Sequence, residues 1–298
     1  MRKLLIPLIA AGILADCSAL LAQPATQPTT EKKAAPKKKA GNGYDDSILQ
    51  AMDHGPFYSG SIHGKTIAFK GIAIKLANGQ AGVSFDTELM RMADGWTGGY
   101  LTIKGERTTG GHPSIDGKSV FNTGIRPGWS RNGDFTDPRS APVVDPRGKP
   151  VGPLPHELAK FKGFYRDGDK VVLSYTVGKT EVLELPGFVD QDSLSYFTRT
   201  FTLGPSAEPL TLLIMDDAGQ NALLTGGGTI ATFDRNETNS VAVGVPDAPQ
   251  GAMLQAISGQ VRLTLPALKN GARFTVAIWS GEQAQSSKFI GAIKTTKS

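Results

Sequence analysis

The chain has 298 residues, 39% hydrophobic and 20% charged, which is enough apolar material for one large or two small globular cores. Its 36 glycines and 19 prolines exceed what a helical protein carries and suit strands joined by many turns. The formal charge of +5 sits at the N-terminus: residues 1–22 carry +1 and residues 23–43 carry +4. Residues 44–298 are therefore neutral, which excludes a broad nucleic-acid groove on the folded body.

Arg2 and Lys3 precede an apolar run from Leu4 to Leu14 that is too short to span a bilayer. This pattern predicts a secretory leader, cleaved after Ala22, and a periplasmic or secreted protein with no transmembrane span after removal of the leader. Cys17 is the only cysteine, and Asp16 stands where a lipoprotein leader wants a small residue, so simple cleavage is expected over lipid anchoring. Residues 23–43 are rich in Pro, Thr, Ala and Lys with no apolar periodicity, and a disordered tether is expected there. The domain expected at 44–298 has a sub-boundary near 187 as an alternative division.

One or two helical turns are expected over Tyr44–Met52. Thr66–Leu76 reads as a strand, with Ile72, Ile74 and Leu76 on one face, and Asn78-Gly79 turns the chain into a return strand at Ala81–Phe85. Thr87 or Asp86 is placed to cap a short helix ending at Asp94-Gly95, and Trp96-Thr-Gly-Gly leads into a strand at Tyr100–Lys104. From Gly105 to Pro155 only Ser119–Asn122 reads as regular. The expectation is a long ordered loop anchored by Phe121, Trp129 and Phe135.

A short helix is expected at Pro155–Lys162. Val171–Val177 and Thr180–Leu185 form a hairpin closed by Gly178-Lys179, read as covered on both sides. Pairing Val177 with Thr180 puts Val171, Leu173, Tyr175, Val182 and Glu184 on one face. Pro186-Gly187 reads as a break. Further strands are expected at Ser195–Leu203, Leu210–Met215, Gly228–Phe233, Ser240–Val245, Met253–Ile257, Gln260–Leu265, Arg273–Trp279 and Phe289–Ile293. The predicted class is all-β: a large antiparallel sandwich, supersandwich-like in its extent, with a few short helices and the one long loop.

No Walker loop, Rossmann fingerprint or nucleophile elbow is present, and the four histidines lack zinc spacing, so no cofactor and no metal are expected. Three constellations carry chemistry. Asp86 and Glu88 beside Arg91 read either as an acid/base pair or as a helix cap with a surface ion pair. Trp96 and Trp129, with Arg126, Arg131, Asp134, Asp137 and Arg139, read either as an aromatic face for a sugar or as plugs holding the loop on the sheet. Arg199 shares an apolar face with Phe197 and Phe201, so it needs a partner, and Glu184 is the candidate. The pair is either structural or a pocket base with its positioning arginine.

Gly55-Pro-Phe57, Lys70-Gly-Ile-Ala-Ile74, Phe85-Asp-Thr-Glu-Leu89, Gly95-Trp-Thr-Gly-Gly99, Pro127-Gly-Trp129, Asp137-Pro-Arg139, Gly152-Pro-Leu-Pro155 and Gly168–Gly178 together resemble a known family. It is a domain of unknown function from secreted planctomycete and verrucomicrobial proteins, often found beside c-type cytochrome, β-propeller or sugar-active modules. The resemblance runs from about Gly55 to Glu184. It implies an extracytoplasmic setting and a role in glycan use, with no activity to carry over. The chain has no haem-attachment motif. Three functions follow as alternatives: a non-catalytic binding module for a carbohydrate or other small ligand; a carbohydrate-active enzyme using some of Asp86, Glu88, Glu184 and His54; and a module docking to a cytochrome or dehydrogenase.

Overall fold

The computed structural model describes residues 46–103, 112–139, 150–216 and 219–295. The leader, the tether and Cys17 lie outside the described residues, as do Lys104 of the expected strand and 105–111 and 140–149 of the expected long loop. A short helix α1 (Asp46–Ala51) opens the described chain. Seven strands follow: β1 (Phe57–His63), β2 (Ile67–Leu76), β3 (Ala81–Asp86), β4 (Arg91–Thr97), β5 (Leu101–Thr102), β6 (Ser114–Ile115) and β7 (Lys118–Asn122). They make one sheet in the order β5-β6-β1-β2-β3-β4-β7, antiparallel except for the single β1–β6 pairing.

After β8 (Trp129–Ser130) come β9 (Ala159–Asp167), β10 (Lys170–Val177), β11 (Thr180–Gln191) and β12 (Leu194–Leu203). Then follow β13 (Leu210–Met215), β14 (Gln220–Thr225), β15 (Ile230–Asp234), β16 (Asn239–Gly244), β17 (Met253–Ile257), β18 (Gln260–Leu265), β19 (Ala272–Glu282) and a helix α2 (Ser286–Thr295). The second sheet runs β14-β15-β16-β19-β12-β11-β10-β9, and a third, small sheet runs β17-β18-β13-β8. The protein is therefore mostly β with mainly antiparallel sheets.

One apolar core is shared by all three sheets. Aromatic contacts show how they meet: Phe85 of β3 lies 5.4 Å from Tyr175 of β10, Phe121 of β7 lies 5.3 Å from Phe197 of β12, and Trp129 of β8 lies 5.8 Å from Phe201. Each fully buried aromatic of this kind contributes roughly 1.5–3 kcal/mol relative to exposure. The outer side of the first sheet has its own small cluster, where Trp96 packs with Ile62, Ala68 and Ala93. Gly82 makes room for that indole, since a Cβ there would stand 2.4 Å from the ring.

Several expected elements take another form. Residues 87–90 form a tight turn and β4 follows, because Asp86 pairs with Arg91 and Met90 closes the turn at φ 48°. Asp94-Gly95 is strand interior, and Phe121 occupies the space where a Gly95 side chain would stand. The expected helix at Pro155–Lys162 is one turn, with the Leu158 and Ala159 amides both donating to the Pro155 carbonyl, before β9 begins. Phe289–Ile293 is helical. A five-residue apolar run fits both periods, and the helix wins because it buries Phe289 and Ile293 against Trp279 and Gly244.

β11 runs unbroken through Pro186-Gly187. The β10–β11 hairpin is covered on one side only: Val182 and Glu184 are buried whereas Leu183 is 38% exposed. The expected long loop contributes β6, β7 and β8 to the sheets.

Val177 pairs with Thr180, leaving Gly178-Lys179 as a two-residue turn with positive φ at Gly178 (56°). Gly178→Val should therefore lose about 1–3 kcal/mol of stability in denaturant unfolding, whereas Lys179→Ala should lose almost none. Equal losses would refute this assignment of the turn.

Candidate functional site

The β3–β4 turn is built on Asp86. Its Oδ1 accepts the Glu88 amide at 3.0 Å, and its Oδ2 accepts Arg91 Nε at 3.1 Å. Arg91 is wholly buried, and its other donors reach the Thr123 carbonyl (2.6 Å), Thr66 Oγ1 (3.1 Å) and the Ile67 carbonyl. Burial pushes the Arg91 guanidinium below its usual value, and the Asp86 charge opposes that shift. The pair is thus an internal clamp rather than the surface ion pair of a helix.

The segment after β8 docks on the same turn. Arg139 grips Asp137 through Nε (3.0 Å) and Nη2 (2.8 Å), donates to the Gly152 carbonyl at 2.8 Å, and stands 3.5 Å from Glu88 Oε2. Glu88 also faces Lys70 at 3.3 Å, and its backbone carbonyl accepts the Leu154 amide. Asp86, Glu88, Asp137 and Arg139 are therefore brought together, all but Asp137 buried.

A second polar assembly lies in the core. Trp129 Nε1 donates to Tyr175 Oη at 3.1 Å, Tyr175 donates to Glu184 Oε2 at 2.7 Å, and Arg199 Nε donates to Glu184 Oε1 at 2.7 Å. Burial, and next the Glu184 charge, push the Tyr175 phenol well above its ordinary value. Alternation had marked Glu184 and Arg199; Tyr175 stood on the Glu184 face without being singled out.

The two tryptophans do not form one open face. Trp96 is 0% and Trp129 5% exposed, in separate clusters. Trp129 is a plug on the large sheet, not an exposed ring on the inner wall of a ligand site. Arg126 pairs with Asp216 at 3.2 Å, and Asp134 accepts the Thr136 amide within its own surface turn. His54 lies edge-on to Tyr58 before β1.

Sequence reading missed Asp94. Its carboxylate is buried on the outer side of β4, accepting Ser119 Oγ (2.6 Å) and the Lys65 amide (2.6 Å). The signal was its place directly opposite Ser84 once β4 is known to be a strand.

Two open grooves flank the β10–β11 hairpin. One, of about 760 Å³, lies beside its turn. Arg131, His156, Lys179 and Glu208 rim it, the exposed Pro205 and Ala207 give its apolar wall while Val177 and Leu210 are almost wholly buried, and Arg131 meets Glu208 at 2.8 Å. The other, of about 600 Å³, lies at the opposite end of β10, between Lys75, Arg166, Lys170 and Phe188. Among the described residues no cluster of three or more His, Cys, Asp or Glu could hold a metal, and no helix is long and apolar enough to cross a membrane.

A family model described as a domain of unknown function, DUF6797, matches residues 83–184. The match runs from β3 through the Asp86–Arg139 assembly to Glu184 in β11. No curated protein matches the chain. Among solved structures it is similar to a heparinase III, with 11% identity and a TM-score of 0.40 over 78% of this chain and 37% of that one. It is also similar to the heparan sulfate lyase HepC from Pedobacter heparinus, with 10% identity and a TM-score of 0.34 over 71% and 35%. The chain spans little more than a third of the length of either lyase.

Two measurements test these assemblies. Glu184→Leu or Arg199→Met alone should each lose about 3–5 kcal/mol, because each leaves an unpaired buried charge. The double variant should lose clearly less than the sum, and additive losses in the cycle would show that the pair is not coupled. Desolvation raises the Asp94 pKa above its ordinary 3.8, so NMR titration of its carboxyl should give a midpoint above that value. Between 3.8 and that midpoint the folded state holds a proton that the unfolded chain has lost. The Asp94 contribution to stability therefore falls as pH rises through this window, opposite to an ordinary ion-paired carboxylate.

Proposed function

We propose that the protein is an extracytoplasmic, non-catalytic carbohydrate-binding module whose ligand lies in the groove rimmed by Arg131, His156, Lys179 and Glu208. The groove carries the reading. It offers an apolar wall for the C–H faces of a sugar ring and a rim of donors and acceptors for its hydroxyls, in about 760 Å³. The segment after β8, which supplies Arg131 and His156, forms one side of it.

The carboxylates considered for acid/base work support the non-catalytic side of the reading. Asp86, Glu88 and Glu184 are each at most 4% exposed, and each faces a buried arginine, so none presents a free carboxyl to a ligand. The setting rests on the N-terminal leader pattern and on the resemblance to domains of secreted planctomycete and verrucomicrobial proteins.

A glycan-array screen of the full chain should yield a ligand. Arg131→Ala and Lys179→Ala should each weaken its binding at least tenfold while changing stability by no more than about 0.5 kcal/mol, as exposed substitutions do. Release of new reducing ends from the bound glycan would replace this reading by the enzymatic one. No glycan ligand at all would replace it by the protein-docking one.

A further inference from the structure

The groove at the other end of β10 carries a different charge pattern. Five charged side chains line it: Lys75, Arg166 and Lys170 against Asp53 and Asp169, three cations and two anions, a net +1. These charges are not equally free. Asp53 accepts the Gly55 amide at 2.8 Å and faces Lys75 at 3.5 Å, and those contacts hold its carboxyl below the ordinary range. Arg166 commits only Nε, to the Gly168 carbonyl at 2.9 Å. Among the described residues its two Nη groups and the Lys170 ammonium have no partner. The Nη pair left open is the end-on edge of the guanidinium fork, which matches a carboxylate in two parallel hydrogen bonds.

The floor is apolar. The half-buried Leu76, Leu185 and Phe188 come from both large sheets, with Thr198 offering a hydroxyl beside them. A ligand matched to this surface has a C–H body, hydroxyls and a negative charge. We infer that this groove is a second binding site, for an acidic saccharide whose uronate carboxylate is held by Arg166, with Lys170 adding positive charge at the groove's edge. The inference rests on the carbohydrate reading of the protein but uses residues that the first groove does not.

Isothermal titration of the full chain with galacturonate and mannuronate hexamers, and with their methyl esters, tests it. The ester keeps the ring and removes only the charge. The acids should bind, the esters at least tenfold more weakly. The Arg166→Ala/Lys170→Ala double variant should lose at least tenfold for the acids, whereas Arg131→Ala should not. Both replaced side chains are exposed, so the fold should be unaffected. Equal binding of acid and ester, unchanged binding by the double variant, or no binding of any uronate would overturn the inference. If a glycan still bound in an Arg131- and Lys179-dependent manner, the first groove would stand and only this one would fall. If neither bound, both would fall.

Discussion

The burial of Arg91 constrains more of this structure than any other single group. A guanidinium withdrawn from water costs several kcal/mol unless its donors are met. Here they are met by three separate pieces of chain: the end of β3 (Asp86), the β1–β2 turn running into β2 (Thr66 and Ile67) and the segment after β7 (Thr123). No one of those pieces can move without stranding a buried charge. The clamp therefore fixes where β4 begins. It also fixes where the chain leaves the first sheet toward β8. Arg139 extends the same logic outward, tying Asp137, Glu88 and Gly152 into one patch.

Arg199 offers the contrast. Its Nε is paired with Glu184, yet both Nη groups are buried without a hydrogen-bond partner, and its charge lies 5.1 Å from the Phe201 ring centre. One carboxylate therefore carries nearly the whole task of compensating that guanidinium. Tyr175 and Trp129 in turn fix the carboxylate, so one chain of hydrogen bonds ties β8 of the small sheet to β10, β11 and β12 of the second sheet.

These ionic clamps also shape where function can reside. The acidic groups that attract attention in the sequence are spent on holding strands and loops in place. On the proposed reading, the polar groups that meet a ligand stand on the rims of the two grooves, on exposed turns such as Gly178-Lys179 and Gly168–Lys170. A rigid sheet junction carrying binding residues on its connecting turns is a common division of labour, because turn residues can vary without disturbing the core.

Much of the fold was legible in the residues themselves. The Gly178-Lys179 turn gave the register of the β10–β11 hairpin, and strict alternation put Glu184 among apolar neighbours. It also put Arg199 between Phe197 and Phe201, so a buried pair followed from the cost of an unpaired charge. Local pattern failed where two periods fit equally well, as at Phe289–Ile293, and where a capping signal was outbid by strand pairing, as at Asp86–Met92. Exposure of the tryptophans was not legible either. A glycine-flanked indole reads the same whether it faces a ligand or fills the space above Gly82. Spacing along the chain determined which residues share a face and which charges need partners. Only the tertiary structure decided which side of each sheet is covered, because that depends on strands far apart in sequence packing face to face.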